Sequence, residues 1–143
     1  MDAPRFRDPQ TRIEDLADEP ILVVCPRCAG RASVTPERLT CVGCALVRSS
    51  GPRLPRAWNR PIDPFFREPV WLRADCCGGH TLRAFHARHL DLIERFVAAK
   101  LRERGLGDRP GMTLIARLPT WMTTAQHRDE VLRTIAKLRA TLS

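Results

Sequence analysis

The chain has 143 residues and carries 24 Lys+Arg against 16 Asp+Glu, a formal charge of +8 at neutral pH. That length fits one compact domain, or a very small module with a helical partner, and 43% hydrophobic with 28% charged residues is an ordinary globular composition. No apolar run approaches the roughly 20 residues of a membrane span, and the mixed-charge start MDAPRFRDPQTRIEDLADEP has no apolar stretch of the secretory kind. A secreted or membrane-spanning protein is therefore excluded at this level, and a reducing, cytoplasmic setting is the expectation.

Residues 1–19 hold Pro4, Pro9, many charges and few apolar side chains, and read as a flexible acidic tail. Ile21, Leu22, Val23 and Val24 form a β-branched run that predicts a strand; residues 31–34 and 46–48 are candidate partner strands, separated by a turn at Thr35, Pro36 and Glu37. Residues 49–69 contain five prolines (Pro52, Pro55, Pro61, Pro64, Pro69) and read as a stiffened linker. Trp58, Phe65 and Phe66 within it are expected to fold back as anchors. Residues 70–74 and 81–85 alternate in character around Asp75, Cys76, Cys77, Gly78, Gly79 and His80, which predicts a β-hairpin. Leu90, Ile93, Val97 and Leu101 then share one face of a helix over 86–104, stopped at Gly105. A second helix is expected to follow Thr123, with a Thr123/Gln126 capping box, and to place Val131, Ile135, Leu138 and Leu142 on one side up to about residue 141. The two helices would pair antiparallel across Gly107, Pro110, Gly111 and a turn at 114–118.

Six cysteines carry the strongest signal. Cys25 and Cys28 with Cys41 and Cys44 make C-x2-C-x12-C-x2-C, a spacing in which each tight turn aims two thiolates at one ion. Two such turns give a four-thiolate tetrahedron, which closes every coordination position on Zn2+ and leaves none for a substrate. Pro26 fixes φ in the first turn, and Gly30 and Gly43 are the candidates for positive φ. The stretch from 25 to 44 has too little apolar mass to fold alone, whereas structural zinc supplies ~10–16 kcal/mol of apparent binding energy. Iron also accepts four thiolates, but no aromatic residue lies between the outer cysteines to shield a redox centre, and disulfides suit a reducing compartment poorly.

Cys76, Cys77, His80 and His89, with His86, are candidates for a second metal cluster; the alternative is that the cysteines pack in the turn while the histidines cap a helix or face solvent. There is no phosphate-binding glycine loop, dinucleotide fingerprint, His-Glu-x-x-His or nucleophile elbow. The expectation is a non-catalytic protein without a small-molecule substrate, with Cys76, Cys77 and His80 as the one place where an activity could sit instead.

The first 20 residues are acidic, so the positive charge resides in the remainder, almost all of it as arginine; Lys100 and Lys137 are the only lysines. Around the cysteines, Arg27, Arg31, Arg38, Arg48, Arg53, Arg56 and Arg60 face the single acid Glu37. That footprint suits the phosphates of DNA or RNA, with Trp58 available to stack on an unpaired base or, alternatively, to anchor the linker. The competing reading is a protein–protein adaptor that docks through the aromatic linker and the helical pair. A further expectation is that the acids of residues 14–19 fold over the basic ribbon.

The same residues carry a resemblance. The paired knuckles Cys25-Pro-Arg-Cys28 and Cys41-Val-Gly-Cys44, then Asp63-Pro-Phe-Phe66, Pro69-Val-Trp-Leu72, Cys76-Cys77-Gly78, His89-Leu90, Arg117-Leu-Pro-Thr-Trp-Met122 and Arg128-Asp-Glu-Val-Leu-Arg133, resemble a group of small bacterial zinc-ribbon proteins with a transcription-factor-IIB-type ribbon. Some of these are labelled after the primosomal replication-restart helicase; this chain is too short for a helicase and lacks the ATP-binding loop, so that label does not carry over. The chain departs from the family pattern at His86, where the family has Asn, and at Arg83, where it has an aromatic residue. The resemblance implies a zinc-bearing ribbon and carries over no activity. The expected fold is α+β: the tail (1–19), a four-cysteine zinc ribbon on a small antiparallel sheet (20–48), the Pro-rich linker (49–69), and a β-hairpin with two antiparallel helices (70–143).

Overall fold

The computed structural model describes residues 5–7, 11–56, 58, 60–99, 101–103 and 118–142, with backbone only for 5–7 and 101–103. The fold is mixed α+β. Strand β1 (Arg5–Arg7) is followed by a 3-10 turn at Ile13–Asp18 and by β2 (Ile21–Val24), β3 (Arg31–Val34), β4 (Leu39–Thr40) and β5 (Val47–Arg48). Strands β2 to β5 form one antiparallel sheet in chain order, with Val23 opposite Ala32, Val34 opposite Leu39 and Thr40 opposite Val47. Period-2 alternation sends Ile21, Val23, Ala32, Val34 and Leu39 to the buried face. Strands β2 and β3 lie where their apolar runs predict them; β4, only two residues long, has no such run.

The hairpin follows as β6 (Leu72–Cys76) and β7 (His80–Ala84), turned by Cys77, Gly78 and Gly79, all at positive φ (58°, 77° and 111°). Helix α1 (Ala87–Ala98) leads to β8 (Leu101–Glu103), which pairs in parallel with β1. Helix α1 ends well before Gly105, which with Gly107, Pro110, Gly111 and most of the turn at 114–118 lies outside the described residues. Past that segment come a short helix α2 (Thr120–Thr123), a 3-10 turn at Ala125–His127 and helix α3 (Arg128–Ala140). Helix α3 thus starts later than the Thr123/Gln126 pattern suggests. Instead of starting the helix, this stretch is tied to the Trp121 carbonyl, which accepts from His127 Nδ1–H (2.7 Å) and from the Thr124 hydroxyl (3.3 Å), with Thr124 Oγ1 3.1 Å from the same ring nitrogen. The last turn of α3 meets the middle of α1 through Arg139, which pairs with Asp91 and with Glu94.

Two buried clusters make up the core. One joins Ile21, Val23, Val34 and Leu39 of the sheet to Ile13, Leu16, Phe66, Val70, Phe85, Leu92 and Ala99. The other packs Leu72, Leu82 and Ala84 of the hairpin on Leu90, Ile93, Val97, Val131, Ile135 and Leu138 of the helices. Helix α1 contributes to both, and Phe96 packs against both.

These contacts revise two expectations. Residues 13–18 are not a free tail: Leu16 is 1% exposed, and its carbonyl accepts a bond from His86 Nε2, 70 residues on, at 2.8 Å. The acid stretch meets the start of α1, where Glu19 pairs with Arg88 at 3.2 Å and Arg88 also donates to the Asp15 carbonyl; among the described residues, Glu19 is paired with none of the arginines around the cysteines. Residues 49–69 are likewise no simple spacer. The outer edge of β2 is hydrogen-bonded to residues 69–71 and 85, through Val24 N–H to the Pro69 carbonyl (2.9 Å), Trp71 N–H to the Leu22 carbonyl (2.9 Å) and Leu22 N–H to the Phe85 carbonyl (2.7 Å). The hairpin therefore covers an edge that would otherwise stand open. Between them, Asp63 is fully buried and its carboxylate accepts N–H bonds from Phe65 (2.9 Å), Phe66 (2.5 Å) and Glu68 (2.8 Å). Three charge-assisted bonds from one side chain shape this turn. A Cβ on Gly51 would stand 2.2 Å from the Phe65 carbonyl oxygen, so the incoming chain needs glycine there.

Candidate metal centre

The four knuckle cysteines converge. Cys25 precedes a turn after β2, Cys28 ends it, Cys41 directly follows β4 and Cys44 precedes β5. Each knuckle is built the same way. The N–H of the leading cysteine donates to a carbonyl five residues on, Cys25 to Gly30 at 2.7 Å and Cys41 to Leu46 at 2.9 Å. The residue after the second cysteine is left-handed in both, Ala29 at φ 63° and Ala45 at φ 64°. The positive φ thus falls on these alanines rather than on Gly30 and Gly43. Glycine at 30 serves close approach instead, since a Cβ there would lie 3.2 Å from Cys28 Sγ.

Cys25 Sγ lies 3.7 Å from Cys44 Sγ and Cys28 Sγ 3.6 Å from Cys41 Sγ, and all four sulfurs lie within 4.8 Å of one another. Tetrahedral zinc with Zn–S of about 2.3 Å has S···S edges of about 3.8 Å, so the set fits one tetrahedral ion. Backbone N–H groups of Arg27 and Gly30 point at Cys25 Sγ and Cys28 Sγ, each at 3.4 Å, donors that stabilise thiolates. The Cys28 and Arg27 amides pull the Cys25 thiol down to about 6 against its burial. At Cys44 the Leu46 amide favours the thiolate, but burial and the three neighbouring sulfurs push it up to about 11. Four sulfurs this close repel as anions, and a divalent cation among them reverses that repulsion.

All seven arginines singled out by the sequence are exposed. Arg27 and Arg38 project from the knuckle and the β3–β4 turn; Arg53 and Arg60 lie on the segment leading to the hairpin. Arg48 pairs with Glu68 at 3.7 Å, Arg56 lies 4.8 Å over the Phe65 ring, and Arg31 donates to the Thr141 carbonyl at 3.2 Å, tying the sheet to the end of α3. Trp58 is half-buried, packed against the first cluster with its ring 5.8 Å from Phe65 and 6.3 Å from Phe85, as the anchor reading expects.

The second cysteine cluster takes a different form from the one the sequence suggests. Cys76 Sγ and Cys77 Sγ lie 2.9 Å apart, and the third ligating group beside them is Glu130 of α3, whose Oε2 accepts the Cys77 N–H at 2.6 Å. Burial, with Cys76 and Glu130 alongside, pushes the Cys77 thiol up to about 12. His80 stacks on Trp121, ring centroids 4.6 Å apart and planes 7° from parallel. His89 is buried with its Nδ1 accepting the Phe85 N–H at 2.9 Å, and His86 Nδ1 accepts the His89 N–H at 3.2 Å as the cap of α1. Neither His80 nor His89 belongs to the sulfur cluster among the described residues. Glu130 lies 53 residues from Cys77, and no spacing rule connects them.

Among the described residues, no helix is long and apolar enough to cross a membrane. Comparison with family models, with curated proteins and with solved structures found no match.

Proposed function

We propose that Cys25, Cys28, Cys41 and Cys44 hold one structural Zn2+, that the four-stranded sheet is a zinc ribbon of the transcription-factor-IIB type, and that its arginine-bearing surface binds nucleic acid without catalysis. The observation that carries the metal assignment is the pair of S···S distances, 3.6 and 3.7 Å, at the edge length of a zinc tetrahedron. With all four positions taken by sulfur, such an ion has no place for a substrate and serves to hold the sheet. Nucleic-acid binding rests on charge: seven exposed arginines accompany one acid between residues 21 and 60. The partners of Arg31, Arg48 and Arg56 are a carbonyl, a half-buried carboxylate and a ring, and at 3.7 Å the exposed Arg48 is held to Glu68 by a long ion pair that a phosphate can replace.

The test is anisotropy of a labelled oligonucleotide, single-stranded and duplex, with the zinc-loaded chain at 50 and 200 mM salt. Four phosphate contacts predict a loss of about 100-fold in affinity between those conditions, and a combined Arg27→Ala and Arg38→Ala variant should bind more weakly with a shallower salt slope. Binding that is absent, or that ignores salt, refutes the nucleic-acid reading and leaves the metal assignment to metal analysis. The adaptor alternative keeps the helical pair, while its aromatic linker offers less to a partner, because Phe66 is buried and Trp58 and Phe65 pack against the core. Among the described residues, Val42, 99% exposed in the second knuckle, and the exposed Val47 and Leu54 are apolar side chains open to a partner.

A further inference from the structure

Outside the four-cysteine centre, the described residues bring one other group of three ligating side chains together: Cys76, Cys77 and Glu130, with donor atoms all within 4.8 Å of one another. They come from three places, the end of β6, the turn after it and the first turn of α3. Packing of Cys76 and Leu72 against Val131 and Ile135 fixes α3 over the hairpin, so Glu130 is delivered to the turn by the core itself. The Cys77 N–H then holds the carboxylate in place at 2.6 Å. Beneath it, the Thr134 hydroxyl lies 3.5 Å from Cys76 Sγ and 2.9 Å from the Glu130 carbonyl oxygen, joining two of the three residues. Cys77 itself sits at φ 58°, a conformation that disfavours a side chain. A hairpin turn alone would be served better by glycine there, as at Gly78 and Gly79.

We propose that Cys76, Cys77 and Glu130 form a second metal site, for a thiophilic divalent cation of the Zn2+ and Cd2+ class. Two thiolates select borderline or soft ions over Mg2+ or Ca2+, and the carboxylate is a common third ligand for zinc. Three protein ligands leave a fourth position, and the exposed Glu130, Gly78 and Gly79 leave it facing solvent. Sharing an ion requires the two sulfurs to open from 2.9 Å to roughly the 3.8 Å of a tetrahedral edge. That adjustment falls on the two cysteine side chains, Cys77 being only partly buried against the second cluster, and the turn beside them is open: a Cβ on Gly78 or Gly79 would meet nothing within 4 Å. With three ligands and that adjustment to make, this site binds more weakly than the four-cysteine centre.

Native mass spectrometry of the full reduced chain, titrated with Zn2+ and then with a chelator, tests the proposal. Two equivalents should bind, and the second should leave at a chelator concentration that spares the first. Cys77→Ser should remove the second equivalent only. Glu130→Gln, at an exposed position where the fold should be retained, should weaken it at least tenfold, with circular dichroism unchanged. Titration with Cd2+ should reproduce the pattern in thiolate-to-metal absorption. One equivalent at saturating Zn2+, or two that survive both substitutions, would overturn the assignment.

Discussion

The four-stranded sheet and the hairpin–helix half of the chain solve the same problem with different materials. Strands β4 and β5 are two residues each, and both residues of β5 are exposed. The far edge of that sheet has little to bury, whereas its inner strands bury Ile21, Val23, Val34 and Leu39 completely. The other half stacks Leu72, Leu82, Leu90, Ile93, Ile135 and Val131 between two strands and two helices, all at 1% exposure or less. Both halves thus bury an apolar face, but at the far strands β4 and β5 the sheet has the cysteine cluster beside it where the helical half has packing, and β2 is hydrogen-bonded to the hairpin side. On the proposed metal assignment, four cysteines fix the thinly packed end of the sheet while a neighbour covers its open edge.

The largest effect that would break this comparison is loss of the cross-link. Cys41→Ser is expected to abolish zinc at the first site, with the loss of most of ~10–16 kcal/mol of apparent metal-binding energy. Hydrogen exchange should then accelerate through β3, β4 and β5 while α1 and α3 keep their protection. Equal acceleration in both halves would show that the sheet and the helical half are one cooperative unit. The converse substitution, Ile135→Ala, removes a fully buried side chain from the helical half and should cost about 2–5 kcal/mol in chemical denaturation, with full zinc retention in the folded state.

Asp63 sharpens the boundary between the halves. Asp63→Ala strands three N–H groups that its carboxylate now satisfies, and about 3 kcal/mol should be lost. Exchange should rise first at Phe65, Phe66 and Glu68. Unchanged protection there would remove Asp63 as the organiser of the connection.

The smallest expected effect is a pH dependence on the helical side. Burial, with His86 and Arg83 nearby, lowers His89 to about 3 from an ordinary 6.5, and burial lowers His86 in the same direction despite its bond to Leu16 and the nearby Glu19. As pH falls below 6.5 the unfolded chain takes up protons that the folded chain refuses, so stability is full above 6.5 and declines towards 3. Each histidine contributes a slope of about 1.4 kcal/mol per pH unit within its window. His89→Gln should flatten the zinc-loaded stability profile between pH 6.5 and 5 relative to wild type; identical slopes would rule His89 out as a source.

Spacing and periodicity were enough to read the chemistry that lies within a few residues along the chain. The C-x2-C knuckles, the alternation of β2 and β3, the Cys77-Gly78-Gly79 turn and the buried faces of α1 and α3 all depend on neighbours in sequence, so their signals survive without a structure. The end of α1 at Ala98 did not, because residues 101–103 find a strand partner in Arg5–Arg7 at the other end of the chain. Ile13 and Leu16 looked like isolated apolar residues in a charged tail until α1 and the sheet supplied a surface to bury them.

What the sequence determined unaided is the set of groups that one tight turn can aim at a common point, above all the four sulfurs. Only the tertiary structure decided which distant groups meet: the Leu16 carbonyl with His86, the Pro-rich stretch with β2, and Glu130 with Cys77. Such meetings are set by how whole elements pack. A carboxylate 53 residues away has no periodicity to announce it, and it acquires its chemical role once the helix carrying it settles on the hairpin.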